Sequence, residues 1–497
     1  MKAMCGIAGM AGDVDEGLLR RMLEKMRHRG PDDLGTFVDD RVAVGQTRLS
    51  IIDVAGGHQP IFDESRNRCI VANGEIYNYR HLSEELEGHT LRTRCDSEIP
   101  LHLYELLGPA MASRLDGMFA IAISDGARLY VARDPVGIKP LYYAIEDGTF
   151  YFASEIKALL LASKRIREFP NGFSYRSDRG FLPFLAWPTQ VREDWTEETA
   201  IATLRDILAA AVRKRLMSDV PVGAFCSGGL DSTLITALAA RDLETFHTFS
   251  TGMEGAPDLE NALKASEAIG TEHHVRAFTE DEVLDALPKV AYYLESYDAA
   301  LFRSAVPTYF VSELARNYVK VVLTGEGADE LYAGYRYLKD LPNGEPLQQE
   351  LLRIVQTLHN LNLQRIDRMT MAHSIEGRVP YLDWEHVKFA LSVPTHLKIH
   401  SQDRVEKWVL RRAFRDVLPE DLLLRAKQKF AEGAGSSDLI RREAERQISD
   451  AEFDHEANRS PVLLRTKEEL YCYRLFSEHY NLEQEVLSNL VGTTRVY

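Results

Sequence analysis

The sequence predicts two domains of different class: a strand-rich α+β domain, then an α/β domain built on a parallel sheet. Three observations lead there. The chain has 497 residues, too many for one ordinary hydrophobic core. Up to about residue 188, short apolar or alternating runs separated by Gly and Asp turn signals dominate. From residue 199 onward, strands alternate with helices, the pattern of parallel βα units.

Taken in order, Arg41–Gly45, Cys69–Asn73, Phe119–Ser124, Leu129–Arg133 and Thr149–Ala153 read as strands stacked in layers. One early helix is expected over Asp15–Arg27, with Leu18, Leu19, Met22 and Met26 on one face. The character changes near Asp194-Trp195. Over Thr199–Leu216, Ile201, Leu204, Leu208, Ala211, Val212 and Leu216 recur at helical spacing. A strand, Val220–Cys226, then leads through Ser227-Gly228-Gly229-Leu230-Asp231-Ser232 into a helix over Thr233–Ala240. Thr245–Thr251 and a helix near Leu259–Ile269 repeat the unit, and Val319–Thr324 is a third strand. From about Pro346 the pattern is mostly helical. The domains are therefore expected at 5–190 and 195–497.

Composition narrows the function class. Apolar residues make up 45% and charged residues 27%, a soluble globular profile, and no run of 18 apolar residues offers a membrane span. No secretory signal is legible at the N-terminus. Cys5, Cys69, Cys95, Cys226 and Cys472 are odd in number and lack CxxC spacing, which argues against both a disulfide framework and a structural zinc site and points to a reducing cytoplasm. A net charge of −16 disfavours nonspecific binding to nucleic acid or anionic lipid. His273-His274 sit side by side on a strand and face opposite ways, so they read as structural.

Two groups of motifs carry chemistry. The first begins with Cys5-Gly6-Ile7. A cysteine exposed as the first residue of a mature chain is a nucleophile whose own α-amine, titrating at about 7.7–8.0, can take its proton. Arg29-Gly30-Pro31-Asp32, Arg48-Leu49-Ser50, Asn73-Gly74-Glu75, Asp96-Ser97-Glu98 and Arg133-Asp134 follow in order. This set resembles the class II glutamine amidotransferases, the N-terminal-nucleophile glutaminases, over roughly the first 160 residues. The resemblance implies layered antiparallel sheets with helices, Cys5 as nucleophile, and an oxyanion hole from Asn73 and Gly74. It implies a glutamine site at Arg48, Leu49, Ser50, Ile51, Ile52, Asn73, Gly74, Glu75 and Asp96. Arg48 would hold the substrate carboxylate; Glu75 and Asp96 would hold its ammonium. Met1-Lys2-Ala3-Met4 precede Cys5, so translation from Met4 followed by methionine removal is the expectation.

The second group is Ser227–Ser232, whose glycines and following helix suit an anion but lack the Lys-Ser/Thr ending of a P-loop. It resembles the PP-loop of ATP pyrophosphatases. Thr324-Gly325-Glu326-Gly327-Ala328-Asp329-Glu330, Glu376–Asp383, Glu406–Arg411 and Arg425–Phe430 complete an order that resembles the bacterial, glutamine-hydrolysing asparagine synthetase family. That resemblance implies ATP contacts from Cys226, Ser227, Gly228, Gly229, Asp231, Ser232, Thr251, Thr324, Gly325 and Lys427. Asp231 and Asp329 would hold Mg²⁺, and Glu326 would be the catalytic carboxylate. Arg378 is open between a phosphate or carboxylate contact and a salt bridge at the core edge. The implied partners are small molecules (glutamine, aspartate and ATP), and the resemblance allows a homodimer. Amidation of a different carboxylate acceptor is the alternative, because no acceptor pocket is legible.

Overall fold

The computed structural model describes residues 5–126, 128–425 and 430–490. In chain order the first strands are β1 (Gly6–Ala11), β2 (Asp33–Val38), β3 (Val42–Arg48), β4 (Ile61–Phe62), β5 (Arg68–Ile76) and β6 (Gly117–Asp125). They are followed by β7 (Arg128–Arg133), β8 (Tyr142–Glu146), β9 (Thr149–Ala153), β10 (Arg167–Glu168), β11 (Phe173–Arg176) and β12 (Gly180–Pro183). Two antiparallel sheets result, ordered β10-β8-β9-β1-β3-β2 and β12-β11-β7-β6-β5-β4.

Alternation decides the layering. Ile7, Val42 and Val44 of the first sheet face Val71, Ala120, Ala122 and Val131 of the second across a closed core. The opposite face of the first sheet is covered by α1 (Glu16–Lys25), whose Leu19, Met22 and Leu23 pack on Ala8, Met10 and Ala43. Asp15 caps that helix by accepting from the Leu18 N–H at 2.8 Å. The outer face of the second sheet takes α2 (Ile99–Leu107) through Ile70, Ile121 and Ile123 against Leu101 and Leu103. The half is thus a four-layer helix–sheet–sheet–helix stack.

The second half centres on a five-stranded parallel sheet ordered β15-β14-β13-β16-β17. Its strands are β13 (Val222–Phe225), β14 (His247–Met253), β15 (Glu272–Phe278), β16 (Val321–Leu323) and β17 (Glu376–Arg378). Helices cover both faces. α3 (Glu197–Lys214) and α4 (Leu230–Ala240) join Val222, Ala224, Val321 and Leu323 in one apolar cluster, while Phe249, Val319, Val322 and Ile375 form another on the other side. α5 (Asn362–Ala372) leads into β17.

One expectation needs correction and one is refined. The helix after the Gly-rich turn begins at Leu230 rather than Thr233, because Gly229 is the extended residue at its N-terminus. Asp231 and Ser232 therefore stand in the first helical turn. The region beyond Pro346 is mostly helical, as expected, and holds one strand among the described residues: Glu376-Gly377-Arg378 pairs in parallel with β16. A three-residue strand of two charges and a glycine has no apolar signature, so only its tertiary setting makes it a strand.

Candidate active sites

Cys5 stands at the start of β1, half-buried, with its Sγ 3.8 Å from the Leu49 carbonyl. Burial pushes its thiol up to about 12, so at neutral pH it is protonated and inert without a base. The pocket beside it is lined by Arg48, Leu49, Ile51, Ile52, Gly74, Glu75 and Asp96, all expected from the sequence. Antiparallel pairing explains the convergence. β1 and β3 are neighbours, which brings Arg48 beside Cys5, and β5 presents Asn73 and Gly74 from the sheet below.

Asn73 is fully buried; its Oδ1 has no hydrogen-bond partner among the described residues, and its Nδ2 lies 3.5 Å from Ser154 Oγ. Gly74 has φ +134°, and a Cβ there would meet the Met118 carbonyl oxygen at 1.9 Å. Only glycine fits, and its backbone is left bare toward the pocket. Arg48 is buried and donates to the carbonyls of Ile52 (3.2 Å) and Asp53 (2.8 Å), so it shapes the loop that lines the pocket.

The ammonium end of the pocket is rich in carboxylates. Burial raises Asp96 to about 6, against the partial relief of the Ile76 N–H at 2.7 Å. Burial also raises Glu75 well above its ordinary value, and the Arg378 guanidinium, 3.0 Å away, opposes that rise. Glu376, which the sequence singled out only as part of the Glu376–Asp383 motif, lines the same pocket although it belongs to β17 of the other half. Arg378 joins the two acids: it pairs with Glu376 at 2.6 Å and with Glu75 at 3.0 Å, and it donates to the carbonyls of Arg215 and Met217. The open question over Arg378 closes in favour of a buried ion pair between halves. Ser50 follows Leu49 of the pocket wall into contact with the other half. Its N–H donates to Asp32 and its carbonyl accepts from Lys320 Nζ, a second clamp across the halves. A third is Arg29, fully buried, which binds Asp367 of α5 through both nitrogens, at 2.7 and 3.0 Å, and donates to the Cys5 carbonyl.

The second site lies at the carboxyl ends of β13 and β16, where open parallel sheets bind ligands. Gly228 has φ +69°, and a Cβ there would strike the backbone of Asn261 at 2.3 Å. Ser227 and Ser232 close the turn through their hydroxyls at 3.2 Å. Gly325 lets the β16 loop touch the first turn of α4: its Cβ would lie 2.9 Å from the Ser232 nitrogen. Thr324 Oγ1 is buried with no hydrogen-bond partner among the described residues, whereas Thr251 donates to the Arg276 carbonyl at 2.6 Å. Cys226 is fully buried beneath the turn. Lys427 lies outside the described residues; Arg425, two positions earlier, reaches Asp258 at 2.8 Å and the Ser227 carbonyl at 3.5 Å.

Asp231 and Asp329 converge. Each lies 2.5 Å from Lys407 Nζ, a buried lysine that the sequence did not single out as a site residue. Two carboxylates from the first turns of separate helices thus face one positive charge, a donor set that fits magnesium, which takes one or two protein carboxylates. Glu326 pairs with Arg365 of α5. Next to it, burial and the neighbouring Asp329 charge lift Glu330 to about 7, while the Tyr335 hydroxyl donates to it.

Fold and sites define a two-chamber amidotransferase, with a thiol-headed pocket in one half and a glycine-lined anion cradle in the other. Family comparison agrees: a glutamine amidotransferase domain matches residues 4–171, and asparagine synthase matches residues 203–345 and 336–488. The chain is 36% identical over 510 residues to asparagine synthetase [glutamine-hydrolyzing] 2 of Arabidopsis thaliana, covering 96% of this chain and 87% of that one. It is 36% identical over 508 residues to the Zea mays asparagine synthetase [glutamine-hydrolyzing], covering 96% and 86%. It is 37% identical over 529 residues to a probable asparagine synthetase [glutamine-hydrolyzing] of Schizosaccharomyces pombe, covering 96% and 93%. The chain belongs to the glutamine-hydrolysing asparagine synthetase family. Among the described residues no helix is long and apolar enough to cross a membrane.

Proposed function

We propose that this enzyme makes L-asparagine from L-aspartate, using ATP and the amide nitrogen of glutamine, and releases AMP, pyrophosphate and glutamate. The observation that carries the reading is that a Cys5 pocket and a Gly-rich anion cradle share one chain, its halves joined by the buried ion pair Glu75–Arg378.

In the first chamber Arg48 holds the substrate carboxylate, while Glu75 and Asp96 hold its ammonium. A thiol at about 12 needs a local base, and the α-amine of Cys5 at the head of the mature chain supplies it. The thiolate attacks the carboxamide carbon. Asn73 Nδ2–H and the Gly74 N–H receive the oxyanion; each such donor contributes about 2.7–4 kcal/mol to the transition state. Ammonia leaves and water later cleaves the thioester. Between the chambers, Leu49, Ile51, Ile52, Met118, Val136 and Ile138 share one apolar cluster with Leu230, Leu323 and Val379. Such a layer suits neutral NH₃.

In the second chamber the Ser227–Ser232 turn, Thr324, Gly325 and Lys427 bind the nucleotide. The aspartate β-carboxylate attacks the α-phosphorus, breaking the α–β bond, and ammonia then displaces AMP from the acyl carbon. Glu326 takes the proton of attacking ammonia. Asp231 and Asp329 are the residues to hold Mg²⁺, which would offset the charge of the departing pyrophosphate. The same reading takes the enzyme to be cytoplasmic, with domains at 5–190 and 195–497, and allows a homodimer.

Incubation with aspartate, ATP, Mg²⁺ and either glutamine or ammonium tests it. Asparagine, AMP and pyrophosphate in equal amounts are expected from both nitrogen sources. ADP with orthophosphate, or no nucleotide cleavage with aspartate, overturns it.

A further inference from the structure

Away from both chambers, four side chains from three separate segments of the glutaminase half converge. Glu64 lies in the β4–β5 turn, His89 in the segment leading toward Asp96, and His102 and Glu105 stand one helical turn apart on α2. One ligand atom from each lies within 4.8 Å of all the others. Three of the six pairs are closer: His89 Nδ1 to Glu64 Oε1 is 3.2 Å, His102 Nδ1 to Glu105 Oε1 is 3.5 Å, and His102 Nδ1 to the other Glu64 oxygen, Oε2, is 3.7 Å.

A tetrahedral ion with ligands at about 2.0–2.2 Å separates its donors by about 3.3–3.6 Å. The observed spacings fall around that value, while the two involving His102 are too long for hydrogen bonds. His102 supplies the independent observation. It is completely buried, and its Nδ1, like Glu105 Oε1, has no hydrogen-bond partner among the described residues. Its other nitrogen, Nε2, lies 3.4 Å from Glu98 Oε1, the carboxylate–imidazole arrangement that orients a metal-binding histidine. Glu64 is likewise held, its Oε1 accepting from the Thr90 N–H at 2.8 Å. Arg68 stands 3.3 Å from Glu105 Oε2 and leaves Oε1 toward His102.

We propose that Glu64, His89, His102 and Glu105 form a structural site for a zinc-class cation. Two imidazole nitrogens and two carboxylate oxygens suit Zn²⁺, whereas Mg²⁺ requires six oxygens in octahedral array. The ion would staple the β4–β5 turn and the 84–95 segment to α2. Glu98 shows what that staple serves: its carboxylate also accepts from the Arg92 and Thr93 N–H groups, each at 2.7 Å, in the stretch that leads into Asp96 of the glutamine pocket.

The test uses the full chain, stripped of metal and titrated with Zn²⁺ by calorimetry, with thermal unfolding followed in parallel. One equivalent bound at micromolar concentration or tighter, with a rise in Tm, is expected. Because His102→Ala opens a buried site, the decisive variants are His89→Ala and Glu64→Gln, both nearer the surface; each removes this binding and the Tm rise. Glu98→Gln weakens binding about 10- to 100-fold. His274→Ala, at the separate His247, Glu272 and His274 group, leaves the binding intact. Co²⁺ in place of zinc gives the intense visible absorption of a tetrahedral ion without a thiolate charge-transfer band. No stoichiometric zinc, binding indifferent to His89→Ala, or a thiolate band tracing the ion to a cysteine overturns the proposal.

Discussion

Removing the guanidinium of Arg378 tests how the halves are joined. Arg378→Met keeps the length of the side chain but leaves Glu75 and Glu376 buried without their shared cation, and two carbonyls without a donor. Breaking a buried pair from one side costs about 3–5 kcal/mol. For a chain of 497 residues the unfolding entropy converts this at about 1 °C per kcal/mol, so Tm falls by about 3–5 °C. The loss comes from the stranded carboxylates, so neutralising them recovers most of it: Arg378→Met with Glu75→Gln and Glu376→Gln unfolds close to the parent. Scanning calorimetry of the parent, single and triple variants reads this directly. Glutamate release reads function: a protonated Glu75 loses its grip on the ammonium, and KM for glutamine rises in the single variant. A triple variant as unstable as the single one, or a Tm loss under about 2 °C, refutes the reasoning.

Three further outcomes follow from the same chambers. Asp96, lifted to about 6 by burial, cannot pair with an ammonium once protonated, so glutamine affinity falls about tenfold per pH unit below that point; equal affinity at pH 5 and 7 removes Asp96 from the site. With the pocket empty, the raised value favours the protonated fold, so Asp96's contribution to stability declines as pH rises from about 4 to 6 and is level above it. Gly74→Ala places a methyl 1.9 Å from the Met118 carbonyl, and glutaminase activity falls at least about a hundredfold while ammonia-dependent synthesis persists; comparing the two activities checks it. Glu326→Gln removes synthesis and spares glutamine hydrolysis, read as asparagine against glutamate.

Much of the first half was legible because its strands, covered on both faces, are short apolar runs between Gly and Asp turn signals, and because Asp15 and the leucines and methionines behind it mark a capped helix. The chemistry of Cys5, Asn73, Gly74, Arg48, Glu75 and Asp96 was legible as local motifs in order. Partners across the halves were not. Arg29 meets Asp367, and Glu75 meets Arg378, over some three hundred residues, and no local pattern encodes such a pairing. β17 escaped because its residues are held by charge rather than by apolar surface. Lys407 was visible only as part of a motif, since nothing in sequence says that Asp231 and Asp329 share one neighbour. Ser50 was carried along by adjacency to Arg48, whereas its backbone serves Lys320 and Asp32.

Glu376 has a consequence for protein engineering. One wall of the thiol chamber is furnished by a strand of the opposite half, so a severed glutaminase would present an unfinished cavity with its acidic floor unbalanced. Grafting that module onto a foreign synthetase would succeed only where the recipient brings a matching acid–arginine couple. The two halves are thus constrained to change together rather than to be exchanged as independent cassettes.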